Sequence, residues 1–145
     1  MKRTHRLAAV ALALMLPLAA LAAPINAVLY KTPQCGCCDE YANYLRDNGF
    51  DVTVEPTNEL AQISQQAGVP EELEGCHTML LQDYVVSGHV PVDIVHKLLA
   101  ERPPIAGITL PGMPSGSPGM SGPKTESFKI YAIPQGGAPT IYAIR

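Results

Sequence analysis

The sequence predicts an α/β fold, because short apolar runs alternate with amphipathic ones up to about residue 102. A second indication is the run Cys35-Gly36-Cys37-Cys38, which lies between the first predicted strand and the first predicted helix. The composition of residues 103–123 marks the end of this pattern, because they contain too much proline and glycine for a regular element. The predicted order is β-α-β-α-β-β-α, followed by a Pro/Gly/Met-rich return segment and a C-terminal β-hairpin.

The first half of this order rests on two apolar strand patterns and two helical ones. Residues 27–30 are an apolar run that enters a polar loop, which is typical of a strand. Residues 51–54 alternate between polar and apolar side chains, which predicts a second strand. Residues 39–48 carry apolar side chains at helical spacing. Residues 60–67 do the same, and Gly68 is placed to end that second helix.

The second half begins with two predicted strands, residues 77–81 and 84–87, which a tight turn joins. Pro91 then opens a third helix, since proline is favoured in the first helical turn. Residues 128–133 and 140–144 are apolar-rich runs on either side of Pro-Gln-Gly-Gly-Ala-Pro, which predicts the terminal hairpin.

A cysteine motif at the first strand-to-helix junction, in this order of elements, is typical of a thioredoxin-like domain. Such a fold would place Cys38 near the start of the first helix, where free amide groups and the helix dipole favour a thiolate. It would place Cys76 on a loop that faces the cysteine motif. We expect one domain over residues 23–145, with residues 103–145 as an extension packed on it.

Residues 1–22 have the pattern of a secretory signal peptide. A basic start is followed by a continuous apolar stretch and then by small residues, with Ala20 and Ala22 at the positions that a signal peptidase prefers. The alternative is an uncleaved membrane anchor, but Pro17 interrupts the stretch, which is only marginally long enough to span a bilayer. We expect removal of residues 1–22, export to the periplasm and no membrane association afterwards.

The formal net charge of the chain indicates which classes of partner to expect. Loss of the signal peptide removes Lys2, Arg3 and Arg6 and no acidic residue, so the formal net charge changes from −3 to −6. An acidic protein without a basic patch is a poor nucleic-acid binder, and we expect no nucleic-acid partner. The same balance suits cationic partners, including metal ions.

The four cysteines are Cys35, Cys37, Cys38 and Cys76, and the last directly precedes His77. An exported protein can form structural disulfides, but adjacent cysteines meet disulfide geometry only with strain. Cys35 and Cys38 have the C-x-x-C spacing of a thiol–disulfide redox centre. Cys37, which is adjacent to Cys38, instead suits a soft metal bridged by thiolates.

Four runs resemble the CopG family of bacterial periplasmic copper-resistance proteins. They are Tyr-Lys-Thr-Pro-Gln-Cys-Gly-Cys-Cys, Gly-Cys-His-Thr, Gly-His-Val-Pro and Pro-Gly-Met-Pro-Ser-Gly-Ser-Pro-Gly-Met, and they span nearly all of the chain after the signal peptide. The resemblance implies a thioredoxin-like fold that holds a small multicopper cluster. By motif it makes the four cysteines the bridging sulfurs, His77 a terminal ligand, and three further residues candidate ligands: Met113, Met120 and His89.

The donor chemistry agrees with copper. Thiolate and thioether groups favour Cu(I), and a bridging thiolate lets few cysteines hold several copper ions. A mixed sulfur and imidazole site also tolerates more than one oxidation state, which makes electron transfer or oxidation of toxic Cu(I) plausible roles. Whether such a site turns over as a copper oxidoreductase stays open. Other periplasmic copper-handling proteins are the expected protein partners.

Two alternatives stay open beside copper. One is a periplasmic thiol–disulfide oxidoreductase that uses Cys35 and Cys38. The other is a structural zinc site with three cysteines and one histidine, since tetrahedral zinc needs only four of these ligands. Cys37 discriminates between copper and the dithiol enzyme, because the enzyme does not require it and a cluster does. The two Pro-Gly-Met repeats favour copper over zinc.

Overall fold

The computed structural model describes residues 23–145, so the predicted signal peptide lies outside the described residues. The fold is mixed α/β, with three α-helices and a seven-stranded sheet in the described part of the chain. Its elements in chain order are β1 (Ile25–Lys31), α1 (Gly36–Arg46), β2 (Phe50–Pro56), α2 (Leu60–Gln66), a 3-10 turn (Glu71–Leu73), β3 (His77–Leu81), β4 (Tyr84–Ser87), α3 (Val92–Glu101), β5 (Gly107–Thr109), β6 (Lys129–Ile133) and β7 (Thr140–Ile144). The predicted order β-α-β-α-β-β-α and the terminal hairpin are confirmed.

The sheet has the strand order β2-β1-β3-β4-β5-β6-β7. Two neighbouring pairs are parallel, β1 with β2 and β4 with β5, and the helices α1 and α3 make the connections that parallel pairing requires. The other neighbouring pairs are antiparallel. In one of these, β1 lies beside β3, which brings the end of β1 next to the start of β3.

The expectation of no regular element in residues 103–123 is wrong for three of them. The strand β5 pairs with β4 on one side and with β6 on the other, so the terminal hairpin continues the same sheet. Its first residue is Gly107, and a Cβ there would lie 1.8 Å from the carbonyl oxygen of Val85. The glycine that argued against regular structure is therefore what lets β4 and β5 approach, and three residues are too few to show a strand pattern in the sequence.

The main core lies between one face of the sheet and the helices α1 and α3. Alternate residues of a strand point to opposite faces, so the buried residues Leu29 of β1 and Met79 of β3 share the face that these helices cover. The helix α2 packs on the other face, where the hydroxyls of Ser64 and Thr78 are 2.6 Å apart. The helical residues of the main core are Cys38, Tyr41, Ala42, Leu45, Ile94, Val95 and Leu98.

The first helix begins earlier than its apolar spacing predicts. The spacing starts at Tyr41, whereas α1 begins at Gly36 with Cys35 as its N-cap. Cys37 and Cys38 therefore lie in the first helical turn, as expected for Cys38. In residues 23–145 no helix combines the length and the apolar character needed to cross a bilayer.

We expect Gly107→Ala to lower the free energy of unfolding by about 1–3 kcal/mol, because its methyl group would collide with backbone of β4 that cannot move without breaking the ladder. Gly136→Ala is the control: a Cβ there meets no atom within 4 Å, and a change of less than about 0.5 kcal/mol is expected. Urea unfolding of both variants measures the difference. Equal effects would show that β5 is not a fixed part of the sheet.

Candidate metal centre

The register between β1 and β3 sets up the site. Lys31, the last residue of β1, pairs with His77, the first residue of β3. The chain leaves β1 through a short loop to Cys35, and it enters β3 directly after Cys76. The cysteine run and the Cys76-His77 pair therefore meet at one end of the sheet, although about forty residues separate them in the sequence. This juxtaposition was expected from the predicted order of elements.

Four sulfur atoms converge there. The Sγ atoms of Cys35, Cys37, Cys38 and Cys76 all lie within 4.8 Å of one another. The distance is 3.5 Å between the sulfurs of Cys35 and Cys37, and 3.4 Å between those of Cys38 and Cys76. Spacings of this order are short enough for one metal ion to contact more than one sulfur.

Two imidazoles extend the cluster into the core. One ligand atom each from Cys38, Cys76, His77 and His89 again lie within 4.8 Å of one another. The sulfur of Cys76 is 2.9 Å from Nε2 of His89 and 3.7 Å from Nδ1 of His77. The centre thus has a sulfur-rich part and a part with two sulfurs and two nitrogens, and Cys38 and Cys76 belong to both.

The cysteines are in a partly oxidised state in this structure. Cys35 and Cys38 are joined by a disulfide, whereas Cys37 and Cys76 are free thiols. A disulfide sulfur is not a thiolate ligand, so a site with four thiolates requires two-electron reduction of this bond. Cys35 is half-buried and Cys38 is fully buried. The C-x-x-C pair is thus at the N-terminus of α1, with its first member the more accessible.

His89 is held in the tautomer that suits a ligand. Its Nδ1 faces the carbonyl oxygen of Pro118, and because a carbonyl only accepts, Nδ1 is the protonated nitrogen. The lone pair of Nε2 then points toward Cys76. A histidine ligand commonly donates its other N–H to a backbone carbonyl in this way. Burial lowers the pKa of His89, which keeps the imidazole neutral.

His77 is buried without a complete set of partners. Burial, with the neighbouring His89, lowers the pKa of His77 to about 3, so the ring is neutral at physiological pH. Within residues 23–145 its Nε2 has no hydrogen-bond partner. An unpaired buried polar group costs about 1–3 kcal/mol, and the nitrogen of His77 that faces Cys76 is the other one, Nδ1. Nδ1 is thus the nitrogen that could bind a metal together with Cys38, Cys76 and His89. The donor set therefore fits a metal.

Cys76 is protonated in the metal-free protein. Burial raises the pKa of its thiol, and the neighbouring Cys37 raises it further. A metal ion supplies the positive charge that displaces such a proton, so binding at Cys76 would release it.

The two methionines differ in their surroundings. Met120 follows Pro118 and Gly119, and a Cβ on Gly119 would lie 2.6 Å from the amide nitrogen of Tyr41 and 2.9 Å from the carbonyl oxygen of Cys37. This second Pro-Gly-Met repeat therefore packs on α1 beside the cysteines. In the first repeat Met113 is 42% exposed, and a Cβ on Gly112 would meet no atom within 4 Å.

Two neighbours of the centre were not among the predicted ligands. The ring of Tyr41 stacks on His77 with a centroid distance of 4.7 Å, and its hydroxyl donates to the carbonyl of Val90 at 2.8 Å. Lys31 is 3% exposed, although it is charged. Its signal in the sequence is its position, because it follows Ala27 and Leu29 at the alternate spacing of a strand's buried face.

The fold and the site together define a mixed α/β protein with a cysteine–histidine cluster that is suited to metal. Residues 73–120 match the family described as "Protein of unknown function, DUF411". No curated protein sequence matches the chain.

Two solved structures resemble the whole described fold. They are titled "Copper resistance protein copG- Form 2" and "Copper resistance protein copG- Form 1". Each is 32% identical to this chain with a TM-score of 0.78, and each match covers 84% of this chain and 98% of the other. The chain therefore belongs to the CopG family of copper resistance proteins, and the resemblance found in its motifs is confirmed.

We expect the oxidised, metal-free protein to lose stability in acid through His77. Its pKa of about 3 in the folded state is below the usual 6.5, so below pH 6.5 the unfolded chain binds a proton that the folded protein excludes. The free energy of unfolding then decreases as the pH falls from about 6.5 to 3, by up to about 1.4 kcal/mol per pH unit for this group. Urea unfolding across this range measures the slope.

The variant His77→Gln removes this titration and should make the pH dependence shallower, while His89, whose pKa is also lowered by burial, still contributes to it. His96→Gln is the control, since His96 is exposed on α3, and it should keep the wild-type slope. An unchanged slope in His77→Gln would contradict the assignment of a buried, neutral imidazole.

Proposed function

We propose that this protein binds several copper ions in a thiolate-bridged cluster and serves copper resistance. The observation that carries the proposal is the convergence of four sulfurs and two imidazoles at one end of the sheet, in a chain of the CopG family. The two solved relatives are titled copper resistance proteins, which supports the same role.

The proposed ligands divide by donor type. In the reduced protein, Cys35, Cys37, Cys38 and Cys76 would bridge the ions, because each thiolate has several lone pairs. His77 and His89 would be terminal ligands on the inner side, where their neutral rings face Cys76. Met120 follows Gly119, which packs on α1, and would be the better placed thioether donor, since Met113 is exposed. Copper supplies one-electron chemistry when bound, so cycling between Cu(I) and Cu(II) is part of this proposal.

We also propose that the fold is thioredoxin-like, extended by β5, β6 and β7. In support, β1 and β2 are parallel, β3 and β4 are antiparallel, and the cysteine motif lies at the N-terminus of α1. On this proposal the chain is one domain over residues 23–145.

The proposed place of action is the periplasm, after removal of residues 1–22 as a signal peptide. The basic start, apolar stretch and small residues of that segment support export. The partners would be copper ions and other copper-handling proteins of the same compartment, without nucleic acid or membrane.

One observation favours a second function. The Cys35–Cys38 disulfide at a helix N-terminus is the arrangement of a thiol–disulfide oxidoreductase. In that reaction the disulfide would accept two electrons from a substrate dithiol, and the substrate would leave as a disulfide. Cys37 would have no role in it. The inner set of two cysteines and two histidines also matches a tetrahedral zinc site, which keeps zinc as a competitor.

The copper proposal predicts more than one copper per chain. Reduced protein without residues 1–22 would be loaded with Cu(I) anaerobically, washed with a Cu(I) chelator, and analysed for metal and protein. We expect Cys37→Ser to lower the ratio at least twofold, because it removes one of four bridges. Thr32→Ser, a conservative change at an exposed position of the same loop, is the control and should keep the ratio.

Three outcomes would contradict the proposal. A wild-type ratio of one or less would exclude a cluster. An unchanged ratio in Cys37→Ser, together with intact disulfide-reductase activity, would favour the dithiol enzyme. Displacement of bound Cu(I) by one equivalent of Zn²⁺ would favour the zinc site.

A further inference from the structure

A tight turn in the Pro/Gly/Met-rich segment lies directly on the metal centre. It consists of residues 117–120, and its closing hydrogen bond runs from the amide of Met120 to the carbonyl oxygen of Ser117 at 2.9 Å. Its second residue is Pro118, and its third, Gly119, has a φ of +80°. Proline at the second position followed by a positive φ at the third defines a type II turn, which favours glycine at that third position.

The type of this turn decides where the carbonyl of Pro118 points. The central peptide planes of type I and type II turns are rotated by roughly 180° relative to each other. The central peptide here includes the Pro118 carbonyl, which accepts the hydrogen bond from Nδ1 of His89. A side chain at position 119 favours the negative φ of a type I turn. That change would turn the Pro118 carbonyl away from His89.

The same glycine also lies against the backbone of α1. A Cβ on Gly119 would be 2.6 Å from the amide nitrogen of Tyr41 and 2.9 Å from the carbonyl oxygen of Cys37. Both atoms belong to the helix backbone, so they cannot move aside as the end of a flexible side chain could. Ser117 is 1% exposed, and its hydroxyl donates to the carbonyl oxygen of Pro114 at 2.7 Å. The turn therefore has a fixed place beside the cysteine run.

The direction of the Pro118 carbonyl decides which nitrogen of His89 keeps a lone pair. While the carbonyl accepts from Nδ1, the bare nitrogen is Nε2, which is 2.9 Å from the sulfur of Cys76. Without this acceptor the neutral ring can carry its proton on Nε2 instead. A nitrogen that carries a proton has no lone pair to offer a metal ion.

We propose that Gly119 is a positioning residue for His89. Its backbone keeps the turn in the type II conformation on α1, and the turn keeps the proton of His89 on Nδ1, so that Nε2 faces Cys76 with its lone pair. The effect concerns the place of one proton on a neutral ring, and it exists without a metal. Only its consequence for copper affinity rests on the proposed function.

The test is the tautomer of His89 in metal-free protein without residues 1–22. Two-bond ¹H–¹⁵N correlations of the histidine rings, recorded at slightly alkaline pH, distinguish a protonated ring nitrogen from a bare one. The signals of His89 are assigned by their loss in His89→Gln. We expect the proton on Nδ1 in wild type and mainly on Nε2 in Gly119→Ala. The exposed His96 should give the same signals in both proteins, which a general loss of structure would not explain.

The repeated Pro-Gly-Met sequence provides a matched control, Gly112→Ala. Gly112 has the same φ of +80°, so alanine is equally disfavoured by the backbone there, but a Cβ would meet no atom within 4 Å. This variant should keep the wild-type tautomer of His89. If Gly119→Ala does not fold, Pro118→Gly replaces it. That variant keeps the carbonyl and adds no bulk, but it releases the φ that proline fixes, so a form with the proton on Nε2 should become detectable.

The same variants extend the test to copper. Loss of a group that orients a ligand typically lowers metal affinity about 10–100-fold. In competition with a Cu(I) chelator, reduced Gly119→Ala should therefore bind copper about 10–100-fold more weakly than reduced Gly112→Ala.

Three results would overturn the inference. They are a wild-type His89 with its proton on Nε2, a folded Gly119→Ala or, in its place, Pro118→Gly that keeps the proton on Nδ1 alone, and a Gly112→Ala that shifts it as far as Gly119→Ala does. These readings need no copper. A wild-type ratio of one copper or less would overturn the cluster, whereas the tautomer shift would still support the role of Gly119.

Discussion

The pairing of β1 with β3 is the constraint on which the site depends. Lys31 and His77 stand opposite each other in this pair, and the residues that follow Lys31 and precede His77 carry the cysteines. A one-residue slip of a strand would turn its core-facing residues to the other face of the sheet. The pair of Leu29 and Met79 in the same register opposes such a slip, because both side chains are fully buried. The core thus fixes the distance between the two sulfur-bearing segments.

The surroundings of the cluster are organised for charge as well as for distance. The two imidazoles are buried and neutral, and the tautomer of His89 is set by a backbone carbonyl. The Cys76 thiol holds its proton until a positive charge arrives. A site of this kind favours ligands that bring positive charge to the inner nitrogens and sulfurs.

Much of this could be predicted from the sequence. Local periodicity was sufficient to predict the seven helices and strands up to α3 and the terminal hairpin, since each has a regular apolar pattern. The position of the cysteine motif at the β1–α1 junction was enough to predict that Cys76 lies opposite it. The strand β5 was not predictable, because the space that Gly107 provides beside Val85 is a property of the assembled sheet.

The parts of the site that depend on tertiary contacts could not be predicted from the sequence either. From the sequence, His89 is one of several candidate ligands. In the structure, the contact of its Nδ1 with the carbonyl oxygen of Pro118 orients the ring toward Cys76. Met113 and Met120 occur in identical Pro-Gly-Met repeats, and only the packing of Gly119 on α1 separates them. The burial of Lys31 follows the alternation of β1, but its partners in the next loop do not appear in any periodic pattern.

The central claim is that sulfur atoms of the cysteine run and Cys76 bridge neighbouring copper ions. X-ray absorption at the copper edge of the loaded protein tests it most directly, since this method counts the sulfur neighbours of copper and detects copper–copper scattering. The account predicts a first shell dominated by sulfur, together with a copper–copper component that is lost in Cys37→Ser. A first shell of nitrogen and oxygen only, or sulfur without any copper–copper component in wild type, would contradict it.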